Sequence, residues 1–280
     1  MTIVVCVRVN DGIVLASDSA TSFIDPTTGM AYKVYNHADK IFNLIKGQPI
    51  GAMTYGSGSI GTASISTLSK DLRKLLVSPD LNCPYKINIA SYTIEEVAQK
   101  ALSFFGDLYK KEYVSGIPNY YMGYRICGYS TGCPFPEAWE IGISDAPPVA
   151  PWPLYNFSDP FSYGPRWAGE VEALDRLILG VGSRFSEALQ ANGLSKLQAD
   201  NVYMRTVAQL RVDLHMAAMP IQDAIDLAKF LAETSARFAH FSIRAPTVGG
   251  PVELATVTKH EGFKWVNRKH YYTTDLNPGG

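Results

Sequence analysis

The order in which strand-like and helix-like segments follow one another is the feature that most restricts the fold of this chain. Two hairpin patterns are followed by two amphipathic helical patterns, a strand pair, a second helical region and two final strand patterns. Such runs of one element type favour a layered α+β protein over alternating βαβ units. No internal repeat or low-complexity tract interrupts the order, so we expect residues 1–280 to form one domain.

The first two hairpins are the clearest local patterns. Residues 3–9 are rich in β-branched side chains, which is typical of a strand. Asp11-Gly12 is a two-residue turn signal, and residues 13–16 form the returning strand. A second hairpin begins at Lys40 and runs to residue 55.

The rest of the chain gives a coarser prediction. Residues 22–39 predict a loop, and the glycine-rich segment 56–59 is expected to open a helix directly. Thr93 and Glu96 form a capping-box pattern at the start of the next helix. Further helices are expected at 183–190, around 202–218 and from Pro220, and further strands at 124–130, 138–143, 177–181, 252–259 and 263–266.

Composition excludes several classes of function. The formal net charge is −1, from 25 basic and 26 acidic residues, which argues against a nucleic-acid binder or a partner of anionic membranes. No apolar run approaches the roughly 18 residues of a membrane span, and the N-terminus lacks the basic region of a secretion signal. The four cysteines form no CxxC pair and no histidine lies at ligand spacing beside them, so we expect no zinc site, and so few cysteines favour a cytoplasmic protein.

Thr2 is the first candidate for chemistry. Methionine aminopeptidase removes an initiator methionine readily when a small residue follows, so we expect a mature chain that begins at Thr2. A terminal threonine carries a hydroxyl nucleophile and an α-amine on one residue, and an amine of pKa about 7.7–8.0 can accept the hydroxyl proton. Many proteins without such catalysis also begin Met-Thr, so this pattern needs support from other residues.

The surroundings of Thr2 supply that support. The segment TIVVCVRVNDGIVLASDSATS, which starts at Thr2, resembles the opening of proteasome β-subunits and of the related bacterial heat-shock peptidase. In that family the terminal threonine begins a strand, and the return strand ends in Ala-Ala-Asp or a near variant. Here it ends in Ala16-Ser17-Asp18, and the separation from Thr2 matches the family without a gap.

Further blocks extend the resemblance over most of the chain. A lysine that opens a hairpin strand, followed by a glycine-rich strand end, is a second motif of the family. The matching segments here are KIFNL at 40–44, IGAMTYG at 50–56, YRICGY at 124–129, LGVGS at 179–183 and the Gly-Gly pair at 249–250. Insertions interrupt the match near residues 22–39, 146–170 and 194–215, and a C-terminal extension follows residue 267.

The resemblance implies a fold and an assembly. It implies the N-terminal nucleophile hydrolase fold, a four-layer αββα sandwich of two antiparallel sheets with helices on both outer faces. Among bacterial proteasome homologues, both the ancestral β-subunit type and the β-proteobacterial homologue fit, and the insertions and long tail favour the latter. Identical subunits of this family close into double rings of twelve or fourteen. An unfolded polypeptide is then the expected substrate, an unfoldase is a possible partner, and the resemblance implies no metal or organic cofactor.

The resemblance also implies roles for individual residues. Thr2 is the expected nucleophile, and the positive charge of Lys40 would favour its neutral amine and its developing alkoxide. Asp18 would keep Lys40 charged and oriented. The backbone N–H of Gly56 would donate to the tetrahedral oxyanion, with Tyr55 as the alternative because the preceding hairpin is one residue longer than in relatives.

Several positions depart from the family pattern. Ala20 stands where many β-subunits have arginine, and Val181 stands at the serine of the Gly-Ser-Gly segment, so Ser183 can serve only after a register slip. Ala245 and Val248 replace the Asp-x-x-Ser pair of eukaryotic subunits. Despite these departures, the resemblance predicts a self-compartmentalised threonine peptidase that acts through Thr2. A ring-forming shell that does not cleave, and a hydrolase of small amides, are the alternatives.

Overall fold

The computed structural model describes residues 2–24, 31–146, 149–155, 162–243 and 248–269. It contains fourteen strands in these segments. They are β1 Ile3–Val9, β2 Gly12–Ser17, β3 Thr21–Ile24, β4 Ala31–Tyr35, β5 Ile41–Asn43, β6 Ile50–Gly56, β7 Ser59–Ile60, β8 Ala63–Ser64, β9 Tyr121–Gly128, β10 Glu137–Ser144, β11 Trp152–Pro153, β12 Gly164–Gly169, β13 Glu253–Thr258 and β14 Gly262–Asn267.

Six α-helices accompany these strands in the described part of the chain. They are α1 Ile65–Leu76, α2 Ile94–Glu112, α3 Glu172–Leu174, α4 Phe185–Ala191, α5 Lys196–Leu210 and α6 Ile221–Phe241, and a π-helix at Asp175–Leu179 follows α3 directly. None of these helices is both long enough and apolar enough to span a membrane.

Two five-stranded sheets form the centre of the molecule. Sheet I has the order β12-β1-β2-β13-β14, and sheet II has the order β11-β10-β9-β6-β5. All neighbouring strands in both sheets pair antiparallel. The prediction of an α+β protein built on antiparallel sheets is therefore confirmed.

The alternation of side chains along β1 shows how the layers pack. Ile3 and Val5 belong to a buried cluster with α6, whereas Val4 and Cys6 belong to a cluster with residues of sheet II such as Met53. A separate buried cluster joins the opposite face of sheet II to α1 and α2. Since successive strand residues point to opposite faces, sheet I is covered by α6 on one side and by sheet II on the other.

Local sequence signals explain where the two helices over sheet II begin. Thr93 caps α2 as predicted, because its hydroxyl accepts a hydrogen bond from the N–H of Glu96. Helix α1 does not begin at the glycine-rich segment. Two short strands intervene, and Ser64 caps the helix by accepting from the N–H of Thr67.

Three further predictions were wrong. Residues 22–39 are not only a loop, because β3 and β4 pair with each other there. The expected strand at 177–181 is largely a π-helix that ends at Leu179 and is followed by Gly180, whose φ of +80° is left-handed. A short apolar run such as this one does not separate a strand from a helix by its periodicity. The helix expected around 202–218 begins at Lys196 and ends at Leu210.

Strand β12 was not predicted, because its sequence GPRWAG carries glycine and proline. Proline cannot donate to a strand ladder and is tolerated at sheet edges. Strand β12 is the edge strand of sheet I, where Pro165 pairs with Val7. This edge position explains how an unfavourable sequence adopts a strand.

A buried arginine connects the two sheets. Arg125 on β9 forms an ion pair with Glu140 on β10, and both side chains are almost completely buried. The same guanidinium donates hydrogen bonds to the carbonyl oxygens of Arg166 (3.0 Å) and Trp167 (3.4 Å) on β12. Sheet II therefore holds the edge strand of sheet I in place.

We expect Arg125→Met to destabilise the protein by about 3–5 kcal/mol, because Glu140 would remain buried without its counter-ion. The double variant Arg125→Met/Glu140→Gln should recover part of this loss, since it buries no charge. Chemical denaturation followed by tryptophan fluorescence measures both. Arg184→Met, which removes an exposed ion pair with Glu187, is the control and should change stability by about 0–1 kcal/mol. An Arg125→Met protein as stable as wild type would contradict this role.

Candidate active site

Asp18 is the centre of the site. It follows β2 directly and is fully buried. Its Oδ1 accepts from the N–H of Ile3 (3.1 Å) and from the Lys40 ammonium (2.6 Å), and its Oδ2 accepts from the N–H groups of Ala20 (3.1 Å) and Gly249 (3.0 Å). Because every one of these partners is a donor, the arrangement suits an ionised carboxylate.

Lys40 is the positive partner and is only 5% exposed. It precedes β5 in sheet II, and its carbonyl accepts from the N–H of Thr54 at 3.0 Å, which fixes its backbone. Burial lowers the pKa of Lys40 below its ordinary value, whereas Asp18 acts in the opposite direction. The ammonium therefore depends on Asp18 to keep its proton in this buried place.

Thr2 lies one residue before the backbone N–H that binds Asp18, and it is 4% exposed. It has the parity of Val4 and Cys6 along β1, so its side chain belongs to the face of sheet I that packs against sheet II. Strand β5, which Lys40 precedes, belongs to sheet II. The structure thus brings Asp18, Lys40 and the start of β1 together.

The end of β12 fixes the carbonyl side of Thr2. The N–H of Glu170 donates to the Thr2 carbonyl oxygen at 2.7 Å. Gly169 has a φ of +96°, and a Cβ there would lie 1.7 Å from the same oxygen. Glycine is therefore required for this close approach. No sequence signal pointed to these two residues, because β12 itself was not predicted.

Gly56 is the last residue of β6, which pairs with β5 in sheet II. Its φ is +84°, and a Cβ there would lie 2.4 Å from the carbonyl oxygen of Tyr121, so the position is specific to glycine. Since Thr54 bonds to Lys40, Gly56 lies two residues, or about 7 Å, further along the strand. The side chain of Tyr55 is held elsewhere, because its hydroxyl donates to Glu140 at 2.7 Å, and burial raises its pKa.

Ser183 is placed differently from the expectation that it reaches Thr2. It is exposed beyond the π-helix, and its hydroxyl and N–H both donate to Glu172, at 2.6 and 2.9 Å. These bonds, with Arg176, lower the pKa of Glu172. The described structure records no contact between Ser183 and Asp18 or Lys40. Glu170 is the residue of this part of the chain whose backbone N–H contacts Thr2.

The other departures from the family pattern are mostly apolar and buried. Ala20, Val181 and Val248 are 0%, 9% and 1% exposed, and Ala245 lies outside the described residues. Ala20 contributes its backbone N–H, which donates to Asp18. The described residues contain no group of three or more His, Cys, Asp and Glu side chains that could hold a metal ion.

A second buried ammonium, which the sequence did not indicate, lies beside this centre. Lys269 follows β14 and is 7% exposed in its side chain. It lies 2.9 Å from Glu253 and 3.6 Å from Asp39, and it donates to Ser19 and to the Ala38 carbonyl. Two of these neighbours are adjacent to the ion pair in the chain, since Ser19 follows Asp18 and Asp39 precedes Lys40.

We expect Asp18→Asn to destabilise the protein by about 3–5 kcal/mol at pH 7, because Lys40 would lose its counter-ion and a carboxamide cannot accept all four bonds. The pKa of Lys40 would then fall further below that of an unfolded lysine, which is about 10.4. Between these two pKa values the unfolded chain binds one more proton than the folded one, so stability rises with pH there. The stability deficit relative to wild type should therefore shrink as the pH is raised from the Lys40 pKa of the variant to the higher Lys40 pKa of the wild-type protein.

Thermal and chemical unfolding at several pH values tests this expectation. Asp71→Asn is the matched control, because Asp71 pairs loosely with Lys74 at 4.0 Å on the surface. It should leave both stability and its pH dependence almost unchanged. A pH-independent deficit in Asp18→Asn would show that Lys40 is not the group left uncompensated.

Solved structures share this fold. The helical assembly of the Anbu complex from Pseudomonas aeruginosa aligns with a TM-score of 0.55 and 13% identity, over 98% of this chain and 90% of that one. The Gly-1 mutant of Anbu from Hyphomicrobium sp. strain MC1 aligns with a TM-score of 0.51 and 11% identity, over 99% and 92%. No family model and no curated protein matches the sequence. The chain therefore has the fold of Anbu, an ancestral β-subunit homologue of the proteasome, over nearly its whole length.

Proposed function

We propose that this protein is a threonine-type amidohydrolase that cleaves peptide bonds with Thr2 after Met1 has been removed. The observation that carries the proposal is the 2.6 Å ion pair between Lys40 and Asp18, whose carboxylate also binds the N–H of Ile3. A buried ammonium is thereby anchored beside the residue that follows the nucleophile. Only a chain that begins at Thr2 has the free α-amine that such a centre needs.

The proposed reaction begins with the Thr2 hydroxyl. Its Oγ attacks the amide carbonyl, and its proton passes to the α-amine, directly or through a water molecule. The amine returns this proton to the leaving nitrogen as the C–N bond breaks, which leaves an ester on Thr2. Water then hydrolyses the ester, releases the acid and restores the hydroxyl.

Lys40 would make this proton transfer possible near neutral pH. Two like charges about 4 Å apart repel by about 4 kcal/mol at an effective dielectric of 20, so the ammonium disfavours a protonated Thr2 amine. The same charge favours the alkoxide that develops during attack. Asp18 opposes the effect of burial on Lys40 and so maintains this charge.

The oxyanion of the tetrahedral intermediate would be stabilised by the N–H of Gly56, with that of Tyr55 as the alternative. A single donor of this kind is typically worth about 2.7–4 kcal/mol. We do not include Ser183 in the centre, because its hydroxyl donates to Glu172 at the surface.

We further propose that residues 1–280 form one domain, that its layers are the αββα sandwich of N-terminal nucleophile hydrolases, and that identical subunits assemble around the sites. Exposed apolar side chains at the end of α6, among them Phe241 and the following Ile243, support self-association. The Anbu complex from Pseudomonas aeruginosa forms a helical assembly, whereas closed double rings of twelve or fourteen are the form that the sequence resemblance implies. An unfolded polypeptide is the proposed substrate, with an unfoldase as a possible partner.

A shell subunit without peptidase activity is the second candidate. The observation that favours it is the apolar surround, since Ala20, Val181 and Val248 occupy positions where active relatives carry polar groups. A hydrolase of small amides would use the same centre with a different substrate. Removal of Met1 and labelling of Thr2 by an electrophile distinguish a shell subunit from both kinds of hydrolase.

We expect intact-mass spectrometry to show that Met1 is absent, and a peptide epoxyketone, which requires a hydroxyl and a free α-amine on one residue, to label Thr2. Thr2→Ala should abolish labelling. Lys40→Met should slow it by about 10²- to 10³-fold, the usual loss when one preorganised electrostatic contact is removed. Lys46→Met, in the exposed turn before β6, is the matched control and should label at the wild-type rate.

Retention of Met1 would exclude both hydrolases. A free Thr2 that is not labelled would favour the shell subunit. If labelling succeeds, cleavage of a peptide library compared with simple amides separates the peptidase from the small-amide hydrolase.

A further inference from the structure

Lys269 is buried at a junction of three chain segments. Its ammonium lies 2.9 Å from the Glu253 carboxylate on β13 and 3.6 Å from Asp39. It also donates to the hydroxyl of Ser19 at 3.0 Å and to the carbonyl of Ala38 at 2.7 Å. A lysine is seldom buried unless it is paired, so this set of contacts is a specific arrangement.

Glu253 needs this lysine. It is 1% exposed and lies opposite Ser17 in the ladder between β13 and β2. Neither of its side-chain oxygens has a hydrogen-bond partner among the described residues, although Oε2 lies 2.9 Å from the Lys269 nitrogen, and burial raises the pKa of Glu253. Lys269 is therefore the positive charge that compensates a buried carboxylate at the edge of the site.

The contacts of Lys269 flank the catalytic ion pair in sequence. Ser19 is the residue after Asp18, and Asp39 is the residue before Lys40. One ammonium therefore holds both segments that carry the pair. Its charge also acts on Lys40, whose pKa it lowers.

We propose that Lys269 is a positioning residue of the active site, which joins the segments of Asp18 and Lys40 and adds a second positive charge beside this ion pair. This inference rests on the proposed function, because its effect is exerted on the Thr2 amine. The residue comes from the region after β14, so the C-terminal part of the chain would complete a centre that begins at the N-terminus.

The sign of the electrostatic effect follows from the charges around the amine. A positive neighbour disfavours a protonated amine, so loss of Lys269 should raise the pKa of the Thr2 amine. Loss of Glu253 should act in the opposite direction. The charged groups that act on Lys40 are Asp18, Lys269 and Glu253, Asp39 lies 3.6 Å from Lys269, and Glu170 contacts Thr2 through its backbone N–H.

The experiment measures the pH dependence of two properties of the full-length, assembled protein. The first is acylation of the Thr2 α-amine by acetic anhydride, followed on the N-terminal peptide by mass spectrometry. The second is labelling of Thr2 by the peptide epoxyketone. Amine acylation reports the amine pKa even if the protein does not cleave peptides.

We expect Lys269→Met to move the midpoint of amine acylation at least about 0.5 pH units higher, so that the amine reacts about threefold more slowly at pH 7. The acid limb of epoxyketone labelling should move by the same amount. Lys269→Arg keeps the charge and should stay within about 0.2 units of wild type. Lys264→Met removes an exposed lysine of β14 and should leave both profiles unchanged.

A second comparison keeps the test valid if Lys269→Met folds poorly. The double variant Lys269→Met/Glu253→Gln buries no uncompensated carboxylate, and it differs from Glu253→Gln only in the charge of Lys269. Its acylation midpoint should therefore lie at least about 0.5 units above that of Glu253→Gln. A purely structural role would lower the labelling plateau without moving either midpoint. Midpoints that coincide within each comparison overturn the inference.

The outcomes distinguish this inference from the proposed function. Wild-type labelling of Thr2 with unshifted variants overturns only the role of Lys269. A shifted amine pKa without any epoxyketone labelling supports the role of Lys269 and overturns the hydrolase. Retention of Met1 removes the amine and overturns both.

Discussion

The structure depends most on the buried carboxylate of Asp18. It binds the Lys40 ammonium and three backbone N–H groups with no exposure to solvent. An isolated charge in such a place is strongly disfavoured, so neither member of the pair is tolerated without the other. The pair joins sheet I, where Asp18 follows β2, to the segment that enters sheet II at β5. A single interaction therefore sets both the approach of the sheets and the position of the ammonium beside the start of β1.

Two further buried ion pairs, Lys269 with Glu253 and Arg125 with Glu140, hold segments that contact this site. Lys269 compensates Glu253 and contacts Asp39, and between the two sheets Arg125 compensates Glu140 and holds β12. Buried pairs of this kind add little net stability compared with apolar residues, but the loss of one partner is costly. Their value here is geometric, since each connects a segment that touches Thr2, Asp18 or Lys40 to a different element of the fold.

The sequence predicted those parts of the site that lie on regular hairpins. The β-branched run of β1 and the Asp-Gly turn place Asp18 and Thr2 at one end of the same hairpin, and the second hairpin does the same for Lys40 and Gly56. The contact between Glu170 and Thr2 was not predicted, because β12, which precedes Glu170, contains glycine and proline and is a strand only through its pairing with β1. The burial of Lys269 was not predicted, because no local sequence pattern indicates that a lysine after the last strand is buried. Ser183 lies in a segment that matches a family motif, but its hydrogen bond to Glu172 holds it at the surface.

The antiparallel topology explains why residues so distant in sequence share one site. In sheet I, β1 and β13 begin at the end where β2, β12 and β14 finish, because each pairs antiparallel with its neighbour. Thr2, Asp18, Glu170 and Glu253 therefore gather at that edge, and Lys269 follows β14 to the same place. In sheet II, β5 begins beside the end of β6, which brings in Lys40 and Gly56. Strand ends are less restricted in conformation than strand interiors, so polar side chains can change there without loss of the ladders. The fold thus permits apolar side chains at Ala20 and Val248, beside the N–H groups that bind Asp18, while it retains the ion pair.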